Sequence, residues 1–482
     1  MLHLISTNAW FERVDGRILS TLSINSISYI FVNDDALSCL HTIHSSGKLL
    51  FLFSVIVSLA SVQGAPSPAP QNEVWAFLVA GSSGYYNYRH QADVCHAYHI
   101  MLDKGVPPER VVVMMVDDVA NDPNNPQKGT LFNKPGGPNV YKGCKVDYKG
   151  TDVNVPTFLN VLKGNKTAVA GVGTGRVIES TNTSHVFVNF VDHGGVGLLC
   201  FPDDDLYADI LEKALRSLAK EKRFAKLVLY VEACESGSVF DNILEENMNI
   251  YVSTAAARDE SSWGWYCDNG TCLGDQFSIS WMEHMDTLSK GMFETLFHQY
   301  RVVRTAVTKS HVNLYGDFRL GYDVVEVEDS STFLNSVNNT AVGVNSRDVA
   351  LHFAKMNALN APDHKTRQHF EMKLTNMKNG RDMADKIISL IMAAATKGDK
   401  KLQEQLETTR YPLNIDIFPC YRQIIAKFKE VCFNTNKHTY FLQHLYKFAN
   451  LCVSGVDIEP VFTEMAAICN SQNYSFGEKY IL

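Results

Sequence analysis

Apolar residues between positions 72 and 325 follow two alternating patterns. Five short continuous runs, rich in β-branched and aromatic residues, are typical of strands buried in a parallel sheet. They are residues 74–80, 110–116, 185–191, 226–231 and 249–254. Residues 90–104 and 206–220 instead repeat apolar side chains at intervals of three and four, which predicts helices. Because strands alternate with helices, we expect an α/β fold with a mostly parallel sheet flanked by helices.

Two other regions have different patterns. Residues 117–184 are rich in Gly, Pro, Asn and Asp and have helical periodicity only at 157–162, which predicts long loops. A polar, strand-poor boundary at 326–345 precedes a tail with helical apolar spacing. The helices predicted there cover residues 373–397, 400–407, 420–433, 440–451 and 459–469. We therefore expect an all-α domain after the α/β domain.

The N-terminal segment has the features of a secretory leader. Lys48 precedes 12 mostly apolar residues, and small residues at 61–65 offer a cleavage site. The run is short for a stable membrane span, although a retained signal anchor is the alternative. The 11 cysteines and several glycosylation sequons also fit an oxidising secretory compartment. The sequons are at Asn165, Asn182, Asn269, Asn338 and Asn473.

Charge is unevenly distributed along the chain. Residues 361–482 hold 16 Lys+Arg and 13 Asp+Glu, a charge of +3. The rest of the chain holds 28 Lys+Arg and 39 Asp+Glu, a charge of −11, so the total is −8. Oppositely charged parts of one chain are expected to attract each other. We find no basic patch that indicates binding to nucleic acid.

A histidine and a cysteine follow two of the predicted strands. His193 precedes Gly194, and Cys234 lies within Glu-Ala-Cys-Glu-Ser-Gly-Ser at 232–238. Active sites of open α/β sheets lie at the carboxyl ends of the strands, where a histidine base can activate a thiol. The pair predicts acyl transfer through a thioester, with the amides of Gly194 and Cys234 stabilising the oxyanion. A buried structural cysteine is the alternative for Cys234.

These blocks resemble the caspase-like cysteine proteases, and the wider sequence is similar to the legumain (asparaginyl endopeptidase) family. The segments that carry the resemblance are 80–93, 111–118, 192–194, 232–238, 253–257 and 273–275. The resemblance covers about residues 72–482 and implies a caspase-like catalytic domain followed by a helical prodomain. Ser83 and Gly195 depart from residues frequent in the family, and the cysteines of the unusual loop 267–272 are candidates for a small disulfide.

The resemblance assigns catalytic roles to three residues. Cys234 would be the nucleophile, His193 the general base and acid, and Asn87 the group that orients the imidazole. From the residues alone, Asn87 would be taken for a turn residue within Tyr-Asn-Tyr at 86–88.

The resemblance also implies a pocket for asparagine. Its residues would be Arg89, His90, Glu232, Ser261, Ser262 and Asp275. Since a carboxamide presents one acceptor and a two-proton donor, Arg89 can donate to its oxygen while Glu232 and Asp275 accept from its nitrogen. An ionised aspartate would face those carboxylates, so we expect cleavage after aspartate only at acid pH. A surface salt-bridge network is the alternative for the charged members of the set.

In this family the tail would be a prodomain that covers the active site. Its four cysteines allow three pairings, and the resemblance implies Cys420–Cys452 and Cys432–Cys469. Because they lack CxxC spacing, we expect no metal, and no other cofactor is implied. Protonation of interface carboxylates would weaken the attraction between body and tail, which predicts activation by acid. We expect the enzyme itself to make the activating cut after Asn357 or Asn360.

The predicted organisation has five parts. They are an N-terminal extension with the signal peptide (1–64), a short linker (65–72), the catalytic domain (73–325), a linker with the activation segment (326–360) and the prodomain (361–482). We predict a secreted or lysosomal/endosomal zymogen of a cysteine endopeptidase that cleaves proteins and peptides after asparagine, with peptide ligation as a side activity. Its partners would be these substrates, its own prodomain as inhibitor, and cystatin-type inhibitors.

Two alternatives have different functions. A catalytic subunit of a GPI transamidase resembles the same family, but the cysteine-bearing helical tail argues against it. An inactive homologue that acts as a binding protein is the other alternative. The presence of Asn87, His193 and Cys234 argues against that possibility.

Overall fold

The computed structural model describes residues 73–288, 295–322 and 341–471 in full, and the backbone of three strands near the N-terminus. The chain divides into two units, Met1–Gln71 and Asn72–Leu482. In the first unit an antiparallel sheet is formed by β1 (Ala9–Val14), β2 (Arg17–Ile24) and β3 (Ile27–Asn33). The predicted signal peptide and the sequons at Asn338 and Asn473 lie outside the described residues.

The second unit is built on a six-stranded sheet. Its strands are β4 (Val74–Ala80), β5 (Val111–Met115), β6 (His185–Val191), β10 (Lys226–Glu232), β11 (Ile250–Thr254) and β14 (Asn313–Gly316). Their order is β14-β11-β10-β6-β4-β5, and only the pair of β14 with β11 is antiparallel. The mostly parallel sheet is therefore confirmed, whereas the edge strand β14 was not predicted.

Helices cover both faces of this sheet. They are α1 (Tyr88–Asp103), α2 (Val155–Leu162), α3 (Ala208–Lys220), α4 (Gln276–Thr287) and α5 (Leu296–Ala306). Alternate residues of β4 belong to two separate cores, because successive side chains of a strand point to opposite faces. Phe77 and Val79 share a core with α2 and α3, whereas Ala76 and Leu78 share a core with α1 and α4. The first predicted helix is confirmed, and the second begins at Ala208 because β9 (Asp205–Tyr207) precedes it.

Two small sheets lie beside the main one. The first joins β7 (Gly194–Gly195), β8 (Leu198–Cys200) and β9. The second has the order β13-β12-β15 and consists of β12 (Trp263–Trp265), β13 (Gly274–Asp275) and β15 (Val344–Asn345). Since β15 lies within 326–345, the prediction of a strand-poor boundary is wrong at those two residues.

The C-terminal region is helical, as predicted. Its helices are α6 (Val349–Leu359), α7 (His364–Ala395), α8 (Lys400–Thr408), α9 (Phe418–Val431), α10 (Leu445–Val453) and α11 (Glu459–Ser471). α6 lies in the segment 326–360, predicted as a linker with the activation segment, and this assignment stays a prediction. Ile388, Phe428 and Phe448 belong to the same buried cluster as Phe190 and Leu198 of the α/β domain. The helical domain therefore extends the core on one face of the sheet.

Four disulfides occur in the described residues: Cys95–Cys144, Cys267–Cys272, Cys420–Cys452 and Cys432–Cys469. The last two are the pairings that the family resemblance implies. The first ties α1 to the long loop region 117–184 and was not predicted. Cys200 and Cys234 are free and buried. Across the described ranges, every helix is too short or too polar to cross a membrane.

Candidate active site

His193 and Cys234 leave the sheet at the same edge. β6 and β10 are adjacent, parallel and in register at their last residues, and each side chain lies two positions further on. After Cys234 the backbone turns sharply, with Glu235 at φ 49°, a left-handed conformation uncommon outside glycine. Gly194 packs so closely that a Cβ there would lie 2.5 Å from the Cys234 carbonyl oxygen. Only glycine fits at this position beside the cysteine.

Asn87 holds His193 in one tautomer. Asn87 Nδ2 donates to the Ser83 carbonyl at 2.9 Å, so Asn87 Oδ1 is the atom that faces His193 Nε2, at 2.8 Å. Nε2 therefore carries the proton, and Nδ1, which has no hydrogen-bond partner among the described residues, keeps a lone pair. Burial, followed by the charges of Arg89 and Arg347, holds the pKa of His193 well below its usual value. The imidazole is thus a neutral base with Nδ1 free to accept a proton.

The Cys234 thiol is completely buried in this form of the protein. The Ser262 amide donates to Sγ at 3.3 Å, and the Ser262 hydroxyl lies 3.6 Å from it. Burial raises the pKa of Cys234, against the opposing effect of the Arg347 guanidinium. Since the thiolate is the reactive species, the covered site favours the unreactive thiol.

Three charged residues that were predicted to line the substrate pocket form a buried cluster, called the pocket residues below. Arg89 Nε donates to Asp275 Oδ1 at 2.8 Å, and its Nη1 donates to the Tyr86 carbonyl at 3.1 Å. Glu232 Oε2 accepts from the amide and hydroxyl of Ser278 at 2.9 and 3.0 Å. Arg89, Glu232 and Asp275 are at most 1% exposed, so the alternative of a surface salt-bridge network is wrong.

Each of the three pocket residues also has one unsatisfied atom. Arg89 Nη2, Glu232 Oε1 and Asp275 Oδ2 are buried and make no hydrogen bond of normal geometry within the described chain. Buried polar atoms are nearly always paired, so this group of one donor and two acceptors calls for a ligand. Burial raises the pKa of both Glu232 and Asp275.

The remaining predicted pocket residues lie at its margin. His90 Nδ1 hydrogen-bonds the Ser82 hydroxyl at 2.6 Å, and its Nε2 lies 3.5 Å from Asp275 Oδ2. Burial, then the neighbouring Arg89 charge, lowers the pKa of His90 well below its usual value, so its ring is neutral. Ser262 contacts the thiol, whereas Ser261 is only half-buried.

Three side chains at the site have a spacing that a metal could use. Ligand atoms of His90, Asp192 and His193 lie within 4.8 Å of one another. His90 Nδ1 is hydrogen-bonded to Ser82, and Asp192 Oδ1 accepts from the His193 amide at 2.6 Å. These atoms already have protein partners, and the absence of a metal stays a prediction.

An extended segment of the chain itself occupies the cleft. β15 pairs antiparallel with β12. The ladder continues on both sides, from the Cys267 amide to the Val342 carbonyl and from the Ser346 amide to the Ser262 carbonyl, each at 3.0 Å. The Ser346 hydroxyl lies 3.1 Å from that of Ser262. Peptides that bind by adding a strand to a sheet edge are held in this way.

Arg347, directly after this strand, is a site residue that sequence reasoning missed. It is 5% exposed and donates to the Gly194 carbonyl at 3.1 Å and to the Thr439 carbonyl at 3.3 Å. It also forms an ion pair with Glu235. Burial raises the pKa of Glu235 to about 7 although the Arg347 charge opposes this. A single arginine in a polar stretch gives no periodic signal, so only the structure reveals this contact between cleft and tail.

The two expected processing residues differ in accessibility. Asn357 lies within α6, half-buried, with its Nδ2 bonded to a backbone carbonyl one turn earlier at 2.9 Å. Asn360 follows the last residue of α6 and is exposed. The described sequon residues Asn165, Asn182 and Asn269 are also exposed.

Comparisons with known proteins identify the family. Residues 74–329 match the Peptidase C13 family, and residues 372–469 match the legumain prodomain. The chain belongs to the legumain family. Legumain of Mus musculus is 37% identical over 442 residues, which cover 88% of this chain and 99% of the relative. The vacuolar-processing enzyme delta-isozyme of Arabidopsis thaliana is 39% identical over 427 residues, covering 82% and 90%.

Membership of the legumain family makes this protein a cysteine-type endopeptidase with a prodomain, as the sequence predicted. Legumain of Homo sapiens is 36% identical and covers 88% of the chain. Among solved structures, caspase-1 from Spodoptera frugiperda shares 11% identity, covers 52% of this chain and 92% of its own, and superposes with a TM-score of 0.32. The fold assignment rests on the observed sheet and on the family.

Proposed function

We propose that this legumain-family endopeptidase cleaves peptide bonds after asparagine. The unsatisfied atoms of the pocket carry the proposal: one buried donor on Arg89 and one buried acceptor each on Glu232 and Asp275. An asparagine carboxamide accepts once through its oxygen and donates twice through its nitrogen, so it satisfies all three. A side chain without those groups leaves buried polar atoms unpaired and is rejected.

The proposed reaction uses the residues beside this pocket. The Cys234 thiol proton passes to His193 Nδ1 as the sulfur attacks the main-chain carbonyl carbon of the substrate asparagine. The amides of Gly194 and Cys234 would stabilise the oxyanion, and the imidazolium then gives its proton to the departing amine. Water, activated by the same imidazole, hydrolyses the thioester and regenerates the thiol. An amine in place of water would give ligation.

Cleavage after aspartate would require acid. An aspartate side chain offers no donor to the two pocket carboxylates, so one of them must take up a proton before aspartate is accepted. Burial raises the pKa of Glu232 and of Asp275. Proton uptake therefore begins at a pH above the pKa of exposed carboxyls, which is about 4. The proposed enzyme therefore accepts asparagine over the wider pH range.

We also propose that segment 344–348 inhibits the enzyme as a poor substrate. In this proposal Ser346, whose amide donates to the Ser262 carbonyl, lies at the pocket, and Arg347 lies after the position of the scissile bond. The Ser346 hydroxyl interacts with Ser262 and Asp275 but leaves Arg89 Nη2 and Glu232 Oε1 unpaired, so the segment fills the cleft without the full set of interactions that favour cleavage. Arg347 then fastens it through Glu235, Gly194 and the Thr439 carbonyl of the tail.

The expected acid trigger does not come from Glu235. Its pKa is raised to about 7 with the segment bound, and that of an exposed glutamate is about 4.3. Because the covered form holds the proton more tightly, lowering the pH between these values favours the covered form at this residue. Two further ion pairs join the catalytic domain to the tail, Asp205 with Lys429 and Asp209 with Arg422.

The proposed location is the secretory pathway, ending in lysosomes, endosomes or the exterior. The relatives, legumain and vacuolar-processing enzyme, and the leader predicted at 48–60 support this.

A peptide panel tests the proposed specificity. Four peptides that differ only in Asn, Asp, Gln or Arg before the scissile bond are incubated with acid-activated enzyme, beside Cys234→Ala as control. We expect thiol-dependent cleavage after Asn that is absent in the variant. Cleavage after Gln or Arg instead would refute the pocket assignment. Absence of cleavage after proven removal of the tail would favour the inactive homologue.

A further inference from the structure

A second buried aspartate lies directly behind Asp275. Asp93 of α1 is fully buried, and its Oδ2 accepts from the Asp275 amide at 3.0 Å. Its Oδ1 accepts from Asn133 Nδ2 at 2.7 Å. A Cβ at Gly274 would lie 2.6 Å from Asp93 Oδ1, so this carboxyl is pressed against β13. Asp93 therefore fixes the short strand that carries Asp275.

The orientation of Asn133 is itself fixed. Its Oδ1 faces His96 Nδ1 at 2.7 Å, and His96 Nε2 lies 3.1 Å from Asp286 Oδ2. Asn133 Nδ2 also donates to the Leu273 carbonyl at 3.1 Å. The amide group must therefore point its nitrogen at Asp93.

The charges around Asp93 do not balance. The charges of Glu232 on β10 and Asp275 on β13 act on Asp93, whereas Arg89 and the neutral His90 of α1 lie against Asp275. Three carboxyls thus share one guanidinium in a site that is at most 1% exposed. Asp93 accepts a hydrogen bond from the Asp275 amide, so the two carboxyls belong to one buried cluster. Two such groups side by side cannot both ionise.

The proton belongs mainly to Asp93. Burial, then the charge of Asp275, raises the pKa of Asp93 well above its usual value. The Asp275 carboxylate instead receives Arg89 Nε at 2.8 Å, a contact that favours its charged form. The pair therefore consists of a neutral acid and a charged acceptor.

We propose that Asp93 is a specificity-determining positioning residue, which donates its proton to Asp275 and so keeps that carboxylate ionised and turned toward the substrate carboxamide. This proposal deepens the proposed cleavage after asparagine and rests on it. Asp93 does not touch the substrate and acts through Asp275. When the Asp93 O–H is removed, the Asp275 carboxylate loses a hydrogen-bond donor in a pocket closed to water. Asp275 therefore takes up a proton at higher pH. A protonated Asp275 suits aspartate better than asparagine.

The test compares two substrates over a range of pH. Acid-activated full-length enzyme is assayed with peptides bearing Asn or Asp before the scissile bond, and the pH at which their kcat/KM values are equal is recorded. We expect Asp93→Ala to raise this crossover by about one pH unit, equivalent to a change of about tenfold in the ratio at fixed pH. Asp93→Asn keeps the size of the side chain and an N–H group but has no acidic proton, and should raise the crossover by less than half as much.

Asp147→Ala is the matched control. Asp147 is also a buried aspartate that accepts a backbone amide, from Val113 at 3.0 Å, and its other contacts are Thr174 and Arg176. We expect it to lower the melting temperature without moving the crossover. Equal loss of kcat/KM for both substrates at every pH in Asp93→Ala would show a structural role only and overturn the proposal.

Two further outcomes are informative. If Asp93→Ala does not fold, Asp93→Asn serves as the test instead. A crossover pH in Asp93→Asn identical to that of the wild type then overturns the proposal. A wild-type enzyme that does not prefer Asn near neutral pH overturns the proposed function, and this inference with it. A wild-type preference for Asn with an unmoved crossover in the variants overturns only the role of Asp93.

Discussion

Replacement of Ser346 by asparagine should turn the inhibitory segment into a ligand that the pocket recognises. Ser346 is aligned with the pocket by the bond from its amide to the Ser262 carbonyl, at 3.0 Å. Three buried atoms there have no hydrogen bond among the described residues: Arg89 Nη2, Glu232 Oε1 and Asp275 Oδ2. A carboxamide in place of the hydroxyl would reach them.

The size of the effect can be worked out from these atoms. A hydrogen bond to a charged group contributes about 1.5–3 kcal/mol. If only two of the three form, at the lower value, they contribute about 3 kcal/mol. Ordering of the asparagine side chain opposes this by about 1 kcal/mol. The net gain of about 2 kcal/mol corresponds to roughly 30-fold tighter closure of the segment over the cleft.

Hydrogen exchange measures this closure in a Cys234→Ala background, which prevents cleavage. The Cys267 amide, bonded to the Val342 carbonyl, reports opening of the strand pair. We expect its exchange to slow by roughly 30-fold in Ser346→Asn, and not in Ser346→Leu, which has similar bulk but no hydrogen-bonding groups. With Cys234 present, we expect a new N-terminus at Arg347. Unchanged exchange together with an uncut bond after residue 346 would refute the alignment.

Three further predictions concern the triad, processing and acid release. Asn87→Ala should lower kcat by about 10²-fold or more with little change in KM, because His193 loses its fixed tautomer; an unchanged kcat in pre-steady-state assays would contradict this. Asn360→Gln should delay self-processing, followed by mass spectrometry, whereas Asn357→Gln should not, since Asn357 lies inside α6; the opposite order would contradict the structure. Asp385, His444 and Tyr440 all lie in the prodomain, so Asp385→Asn should weaken the fold of the prodomain itself and thereby move its release, followed by thiol labelling of Cys234, to higher pH. Burial alone would raise the pKa of Asp385, but His444 at 2.9 Å and Tyr440 lower it overall. Its stabilising effect is therefore present above about pH 4 and lost below, so a release pH unchanged by the substitution would exclude this bridge.

The sequence was most informative where structure depends on local pattern. The runs at β4, β6 and β10 predicted a parallel sheet, and the parallel direction alone brought His193 and Cys234 to one edge. Asn87 was different, because nothing in Tyr-Asn-Tyr distinguishes an orienting amide from a turn residue, and only the family resemblance singled it out.

The missed elements have physical explanations. α4 buries residues around most of its circumference, so its apolar residues show no one-sided period. β15 consists of two residues that pair with β12, about 80 positions earlier, and such a strand depends on its partner rather than on its own composition. Asp93 is one polar residue within the helix predicted at 90–104, and nothing in the sequence pattern distinguishes it. Its role depends on β13, which the sequence pattern did not predict.

The strand in the cleft also determines the kinetic order of activation. α6 separates Ser346 from Asn360 by about 16 Å, so the bond after Asn360 cannot reach Cys234 of the same molecule while β15 is in place. The first cut must then be made by another molecule. Progress curves should be sigmoidal, with a lag that shortens as zymogen concentration rises and disappears when mature enzyme is added as seed. A compartment holding this protein would thus respond to acidification only above a threshold concentration, and then abruptly.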